Sequence, residues 1–379
     1  MPPYHITIDG CCLGRRKTGN ETYLRGLLQG LKTVASPDQW RITVLTTSHY
    51  TQPRDPFFHW HEIPLGNFIT RNFATIPRTL EKLRPHLYHA IYWTRFYAMP
   101  VPVILMVHDL SYVSFPQGYP PHHLPIYRHL IRASARRAHH LLTVSEFSKQ
   151  ELIRHWAIPA HHITVTYNGV NPAFHPPSEN SPPTTQPPHP TSPPYILYVG
   201  NLHPRKNLVR LLQAFVHLRQ TTTLPHRLKI VGQVAWMAHD IFATVRAHRL
   251  QDQVDFTGYV TESDLIHLYQ HAAVTVYPSL YEGFGLPVLE AMACGCPVVS
   301  SATTSIPEIA GDAAVLVDPY NPRAIAEGIC RILQNPDLAA TLRQKGLAQA
   351  QKFTWTACAR ATLTAYQKAL ASRPGEQMK

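Results

Sequence analysis

A proline-crowded stretch near the middle of the chain constrains the fold more than any other feature. Residues 176–194 mix proline with Ser, Thr, Asn and His, and offer almost no apolar side chain to bury. Such a stretch cannot continue a helix or an inner strand, and it reads as a partly extended linker. On each side of it the sequence keeps the same rhythm. Before it, short apolar strands are expected at 4–9, 42–46, 103–107 and 141–144. A helical face of Leu24, Leu27, Leu28 and Leu31 follows the first, and helical patterning runs from 122 to 138. Ser145 reads as a helix start, with Ser148 and Glu151 beyond it. After the linker, strands are expected at 195–199, 228–231, 254–256, 274–277, 298–300 and 314–317. The first of these leads into a helix over 208–218. Strands alternating with helices predict an α/β chain of two successive doubly wound parallel sheets. The expected division is a first domain over 1–175, the linker over 176–194 and a second domain over 195–354. A basic helix over 355–379 could pack on either domain. Ligands of such sheets bind where strand ends open onto a cleft.

Composition narrows the partners. With 379 residues and 44% hydrophobic content, the chain can bury two substantial cores. The formal net charge of +12 fits an anionic partner: nucleic acid, an acidic membrane surface or a phosphorylated substrate. Lysine and arginine are dispersed, with only Arg15-Arg16-Lys17 as a run, and no RNA-binding signature accompanies them, which excludes nucleic acid. The six cysteines have neither metal nor redox spacing and are too sparse for a disulfide framework. The histidine pairs at 122–123, 139–140 and 161–162 lack ligand partners at helical spacing, so no metal site is expected. The N-terminus lacks the basic and apolar regions of a signal peptide. The longest apolar run is far too short to span a bilayer. A cytoplasmic protein is expected, with peripheral contact at the inner face of the cell membrane the only membrane role open to it.

Chemistry concentrates at strand ends. In the segment 278–297 a strand ends, a glycine loop follows, and a helix begins at Pro287, a residue suited to the first helical turn. Gly283 and Gly285 let backbone approach a ligand, and the helix start favours an anion. Glu290 lies one turn into that helix, where its carboxylate could accept from ribose hydroxyls. Glu282 precedes the loop, where it could hold sugar hydroxyls. Both could equally be helix-end carboxylates stabilised by the dipole. The segment 198–207 joins the first strand of the second domain to its helix. Gly200 permits a tight exit, and Arg205 and Lys206 place two cations at a strand end, suited to phosphate. His108 and Asp109 end an apolar strand in the first domain, where a histidine can hydrogen-bond a sugar or move a proton. Neither domain opens with the Gly-x-Gly-x-x-Gly of a dinucleotide site, and the Walker loop is absent.

These residues resemble those of a known family. Glu282-Gly283-Phe284-Gly285-Leu286-Pro287 with Glu290-Ala291-Met292 is similar to the Glu-x7-Glu motif of retaining glycosyltransferases with two Rossmann-like domains, the GT-B fold, and most of all to their large fourth family. Thr18-Gly19-Asn20 resembles that family's N-terminal glycine loop, and His108-Asp109-Leu110-Ser111 its His-Asp stretch. Val144-Ser145-Glu146-Phe147-Ser148 and Tyr167-Asn168-Gly169-Val170 are similar to later first-domain motifs. Val199-Gly200 with Pro204-Arg205-Lys206-Asn207 resembles the donor phosphate site. Phe353-Thr354-Trp355 resembles the start of a closing helix that crosses back onto the first domain.

The resemblance implies a hexosyltransferase that uses a nucleotide-sugar donor and a glycan or lipid-linked acceptor. Arg205 and Lys206 would bind the diphosphate, Glu290 the ribose and Glu282 the sugar hydroxyls. Backbone of Gly19, Gly200, Gly283, Phe284, Gly285 and Leu286 would line the donor, and His108 would sit beside the transferred sugar. No metal or cofactor is required. The stretch 108–116 resembles mannosyl-transferring members, so GDP-mannose is the expected donor and polysaccharide biosynthesis the expected setting. The alternatives are a sugar-nucleotide-binding scaffold without turnover, or an epimerase or phosphorylase on the same fold. One departure stands out: Glu21 occupies a position where the family commonly carries a cation.

Overall fold

A computed structural model describes residues 2–14, 19–91, 94, 99–177, 193–235 and 238–371. Arg15, Arg16, Lys17, Thr18 and most of the linker lie outside them. The chain forms two compact units, one of Met1–Gly169 with Phe353–Lys379, the other of Val170–Lys352.

Among the described residues the first unit holds seven strands: β1 (Tyr4–Asp9), β2 (Trp40–Thr46), β3 (His59–Glu62), β4 (Leu87–Ala90), β5 (Val103–Met106), β6 (His140–Thr143) and β7 (Ile163–Val165). They form one sheet in the order β3-β2-β1-β4-β5-β6-β7. Every pairing is parallel. The second unit holds β8 (Tyr195–Val199), β9 (Arg227–Val231), β10 (Val254–Gly258), β11 (Val274–Tyr277), β12 (Val298–Ser301) and β13 (Val315–Val317), in the order β10-β9-β8-β11-β12-β13. These pairings are parallel too. Inner strands such as β5 and β8 are buried along their whole length, which is why they read as unbroken apolar runs.

Both sheets reverse winding direction once, between β1 and β4 and between β8 and β11. Loops leaving two such strands diverge to opposite faces and leave a crevice at their carboxyl ends.

The helix Gly19–Val34 buries Leu24, Leu27, Leu28 and Leu31, each burial being worth about 1.5–3 kcal/mol. Ser145 caps the helix Glu146–Trp156, its side chain accepting from the Ser148 N–H at 3.0 Å. The helix Trp355–Ala371 belongs to the first unit, where its Tyr366 hydroxyl meets His89 Nδ1 at 2.7 Å.

One expected element differs. The pattern over 122–138 predicts a single helix, but the chain runs through a 3-10 turn, an α turn, a π segment at Tyr127–Ile131 and an α-helix at Arg132–Arg137. Pro121 and Pro125 each remove a backbone donor from the first turns, so the hydrogen-bond ladder changes pitch before it settles. Three strands carry too weak an apolar signal to read beforehand: β3 is His-Trp-His-Glu, and β4 and β7 are very short.

Candidate active site

The site builds from the two strands that flank the reversal of the second sheet. After β8, Gly200 adopts φ +151°, and a 3-10 turn at Pro204–Lys206 follows, capped by His203, whose Nδ1 accepts from the Arg205 N–H at 3.1 Å. Asn207 closes the turn at φ +63°, a conformation Asn tolerates better than most residues. Its side-chain amide donates to Pro278 O at 2.9 Å and to Pro319 O at 2.7 Å. The turn that carries the two cations is thereby tied to the loops after β11 and β13. A second tie runs from the Leu280 N–H to Arg205 O at 2.8 Å.

After β11 the chain delivers Glu282 to those cations. Its Oε2 lies 3.0 Å from Arg205 Nη1, and its Oε1 lies 2.6 Å from Lys206 Nζ. Ser279 Oγ at 2.5 Å and the Tyr277 hydroxyl at 3.0 Å donate to the same Oε1. Lys206 also hydrogen-bonds the Tyr277 hydroxyl. Glu282 is 6% exposed. Burial alone would raise its pKa, but the Arg205 and Lys206 charges and the donated hydrogen bonds outweigh that and hold it at about 2. The carboxylate therefore stays ionised at any ordinary pH.

The loop that follows is held from beneath. Ser305 Oγ donates to Glu282 O at 3.0 Å and to Phe284 O at 2.9 Å, and Ser301 Oγ donates to Ser279 O at 2.5 Å. Gly285, at φ +110°, caps the helix Leu286–Ala293. That φ favours glycine, and a Cβ there, 2.6 Å from the tip of the Ile306 side chain, would also push that side chain aside. Glu290 sits in this helix and accepts from the Tyr269 hydroxyl at 3.1 Å. Burial raises its pKa, and with Glu262 adding to that against the Tyr269 bond, it reaches about 7. The two glutamates thus differ in kind: Glu282 is permanently ionised, and Glu290 is poised to titrate near neutrality.

His108 belongs to the first unit. It follows β5, its backbone carbonyl accepting from Ser148 Oγ at 3.3 Å, with Asp109 Oδ1 accepting from the Ser111 N–H at 2.9 Å just beyond. Its ring meets the edge of the Tyr23 ring at 4.9 Å between centroids. Burial lowers its pKa to about 4 against a smaller opposing effect of Asp109, so the imidazole is neutral. Its Nε2 is buried and has no hydrogen-bond partner among the described residues. Gly19 opens the helix Gly19–Val34, and a Cβ there would meet nothing within 4 Å. Glu21 is buried on the first turn of that helix, and its Oε1 accepts from Arg25 Nη2 at 2.6 Å and from the Gly14 N–H at 3.3 Å. Arg25, one turn further on, is thus the cation that pairs with Glu21.

Thus Arg205, Lys206 and Glu282 come into direct contact, and Gly200, Gly283, Phe284, Gly285, Leu286 and Glu290 lie on the same two loop systems. Sequence reasoning missed Tyr277, Ser279, Ser305 and Tyr269 as contacts of the site, and quoted Asn207 within a motif without giving it a role. The first two read as the end of a buried strand, and only their spacing of five and three residues before Glu282 signalled contact. No group of three or more His, Cys, Asp or Glu residues among those described could hold a metal ion. No described helix is long and apolar enough to cross a membrane.

Comparison with known proteins places this architecture. The family described as glycosyl transferases group 1 matches residues 184–349, and that described as glycosyltransferase family 4 matches residues 18–174. O-antigen chain mannosyltransferase B of Escherichia coli is 37% identical over 261 residues, covering 69% of this chain and 68% of that protein. O-antigen chain mannosyltransferase RfbU of Salmonella typhimurium is 30% identical over 62% of this chain and 61% of its own. Sucrose-phosphate synthase from Thermosynechococcus elongatus shares the fold at a TM-score of 0.78 and 22% identity, over 98% of this chain and 100% of that one. The fold and the motif-bearing loops define a GT-B glycosyltransferase. The chain belongs to the group 1 glycosyltransferases, the family-four type, and is mannosyltransferase-like.

Proposed function

We propose that this glycosyltransferase moves mannose from GDP-mannose to a growing glycan or lipid-linked acceptor, with retention of anomeric configuration. The observation that carries the reading is the Glu282 carboxylate bridged between Arg205 and Lys206 at the winding reversal of the second sheet. Two fixed cations suit a diphosphate, and a permanently ionised carboxylate beside them suits sugar hydroxyls. The similarity to two O-antigen mannosyltransferases supports mannose and a polysaccharide product.

In this mechanism Arg205 and Lys206 neutralise the charge that develops on the departing diphosphate. The first amides of the helix Leu286–Ala293 add their partial positive charge. Glu290 accepts from the ribose, and Glu282 fixes the sugar. His108 stands beside the transferred sugar as a neutral imidazole. The acceptor attacks from the face the diphosphate leaves, and the diphosphate takes the acceptor's proton. No metal takes part. The basic surface draws the enzyme to an anionic membrane at the inner face of the cell membrane, an attachment that high salt weakens.

The test is donor turnover followed by released nucleoside diphosphate, with GDP-mannose and UDP-glucose compared and the product's anomeric configuration read by NMR. Turnover of GDP-mannose with an α-linked product supports the reading. Preference for UDP-glucose overturns the donor, and binding without turnover under any acceptor overturns the enzyme.

A further inference from the structure

Two motifs have no part in the site described above: Tyr167-Asn168-Gly169, where the chain leaves the first unit, and Phe353-Thr354-Trp355, where it returns. They meet. The Tyr167 and Phe353 rings stand edge to face at 5.6 Å. A Cβ on Gly169 would lie 2.1 Å from the Trp355 backbone nitrogen. The Trp355 ring, 5% exposed, fills a socket whose floor is the helix Gly19–Val34. A Cβ on Gly26 would lie 2.0 Å from that ring, and one on Gly30 would lie 2.1 Å from the Trp355 carbonyl oxygen. Three glycines, two from one helix and one from a distant loop, thus leave room for a single residue. Helix interiors disfavour glycine by about 1 kcal/mol each, so two in one helix mark a requirement for close approach.

What the socket adjoins gives the arrangement a purpose. Tyr23 lies three residues before Gly26 on the same helix and is fully buried. Its ring meets both the Trp355 ring, at 6.3 Å between centroids, and the His108 ring, at 4.9 Å. His108 Nε2 is buried and has no hydrogen bond among the described residues, which leaves the Tyr23 ring as the contact against which that side of the imidazole is set. We propose that Trp355, acting through Tyr23, is a positioning residue for the His108 ring. The C-terminal helix thereby sets an imidazole that follows β5, far away in sequence. Relevance to catalysis rests on the reading of His108 as the group beside the transferred sugar, but the positioning itself does not.

The experiment reads His108 directly. Its ring resonances are assigned by their loss in His108→Gln, then followed through a pH titration in the full chain, in Tyr23→Leu and in Trp355→Phe. The groups facing the imidazole in that titration are Asp109, His89 and the Tyr23 ring. Both variants are expected to move the His108 resonances, and Tyr23→Leu is expected to bring its pKa up from about 4 towards 6.5 as the packing opens. Tyr23→Phe keeps the ring and is expected to restore the native spectrum. Turnover of GDP-mannose then gives the functional arm: kcat falls on the order of tenfold with donor KM unchanged, and neither variant adds to the loss already present in His108→Ala. Unmoved His108 resonances in folded Trp355→Phe and Tyr23→Leu overturn the positioning. Moved resonances with full turnover in His108→Ala leave the positioning standing and overturn the role given to His108. If Tyr23→Leu does not fold, Trp355→Phe alone decides, because it retains an aromatic ring in the socket.

Discussion

The two sheets reverse their winding in the same way but place a different balance of charge beside the reversal. In the second unit two cations converge on one buried carboxylate, so Arg205, Lys206 and Glu282 carry a net positive charge even when paired. In the first, Arg25 meets the buried carboxylate Glu21 and that pair is neutral, while Asp9, buried at the end of β1, accepts from the Cys11 N–H at 3.0 Å. The other buried polar side chains on and just after the strands of the first sheet are mostly threonines and histidines, and burial keeps the histidines uncharged. His5, His108 and His140 are lowered to about 4 and His89 to about 3, desolvation being the leading cause in each. The second unit is therefore the one whose buried cluster keeps a net positive charge to offer an anion. That is the division expected when only one of two ligands is a phosphate ester.

The largest expected effect comes from breaking the charged cluster. Lys206→Ala and Glu282→Ala should each lower turnover on the order of 10²–10³-fold, in line with the loss of a preorganised electrostatic group. Melting temperature should move far less. Equal losses in both would make these residues structural and erase the contrast between the units.

A subtler variant sharpens it. Glu282→Gln removes the carboxylate's charge and keeps most of its shape, leaving Arg205 and Lys206 without their compensating anion. GDP should then bind tighter, on the order of tenfold, while GDP-mannose turnover falls. Calorimetry with GDP checks this directly. Weaker GDP binding would mean that Glu282 organises the cations rather than competing with the phosphates for them.

Acid should separate the units. Each buried histidine of the first unit has a folded pKa below its unfolded value of 6.5, so the unfolded chain takes up more protons there. Their contribution is fully present above about pH 6.5 and is lost as pH falls towards 4 and below. Glu290 in the second unit runs the other way. Its pKa rises to about 7 when folded, so its contribution grows as pH falls from 7 to about 4.5. His226 and His267 of that unit, with pKa values lowered mainly by burial, oppose it. Hydrogen exchange between pH 7 and 4.5 should show protection falling sooner in the first unit. Donor affinity should also weaken as pH drops through 7, because a protonated Glu290 offers the ribose a poorer acceptor. A pH-independent GDP affinity would remove Glu290 from the donor site.

Much of this was legible beforehand because the signals were local. Glycine and proline around Glu282 mark a strand-loop-helix junction by their backbone limits alone, and Arg205-Lys206 follows an unmistakable strand. What stayed hidden depended on tertiary contact. Nothing in a Val-Thr-Val-Tyr strand announces that the Tyr277 hydroxyl will donate to Glu282. Nothing near Asn207 announces that its amide will span two carbonyls 71 and 112 residues away. Gly26 and Gly30 look like mere weaknesses in a helix until Trp355 fills the space they leave. The Arg25 pairing is different: Glu followed four residues later by Arg is a local helical spacing that could have been read and was passed over.

That pair supplies the smallest expected effect. Glu21 is 2% exposed and Arg25 33% exposed, so the carboxylate is committed to the interior while its partner remains wetted. Arg25→Ala leaves the carboxylate with the Gly14 N–H at 3.3 Å as its hydrogen-bond donor among the described residues. The cost should be about 1–3 kcal/mol, the range for a buried acceptor that loses its partner. Combining Glu21→Gln with Arg25→Ala removes the buried charge together with its cation, and should recover part of that loss while donor KM stays as it was. Denaturant unfolding of the two single variants and the double variant measures the coupling directly. A double variant no more stable than Arg25→Ala would show that the buried charge was never the source of the cost. The neutral pair would then no longer distinguish the first sheet from the second.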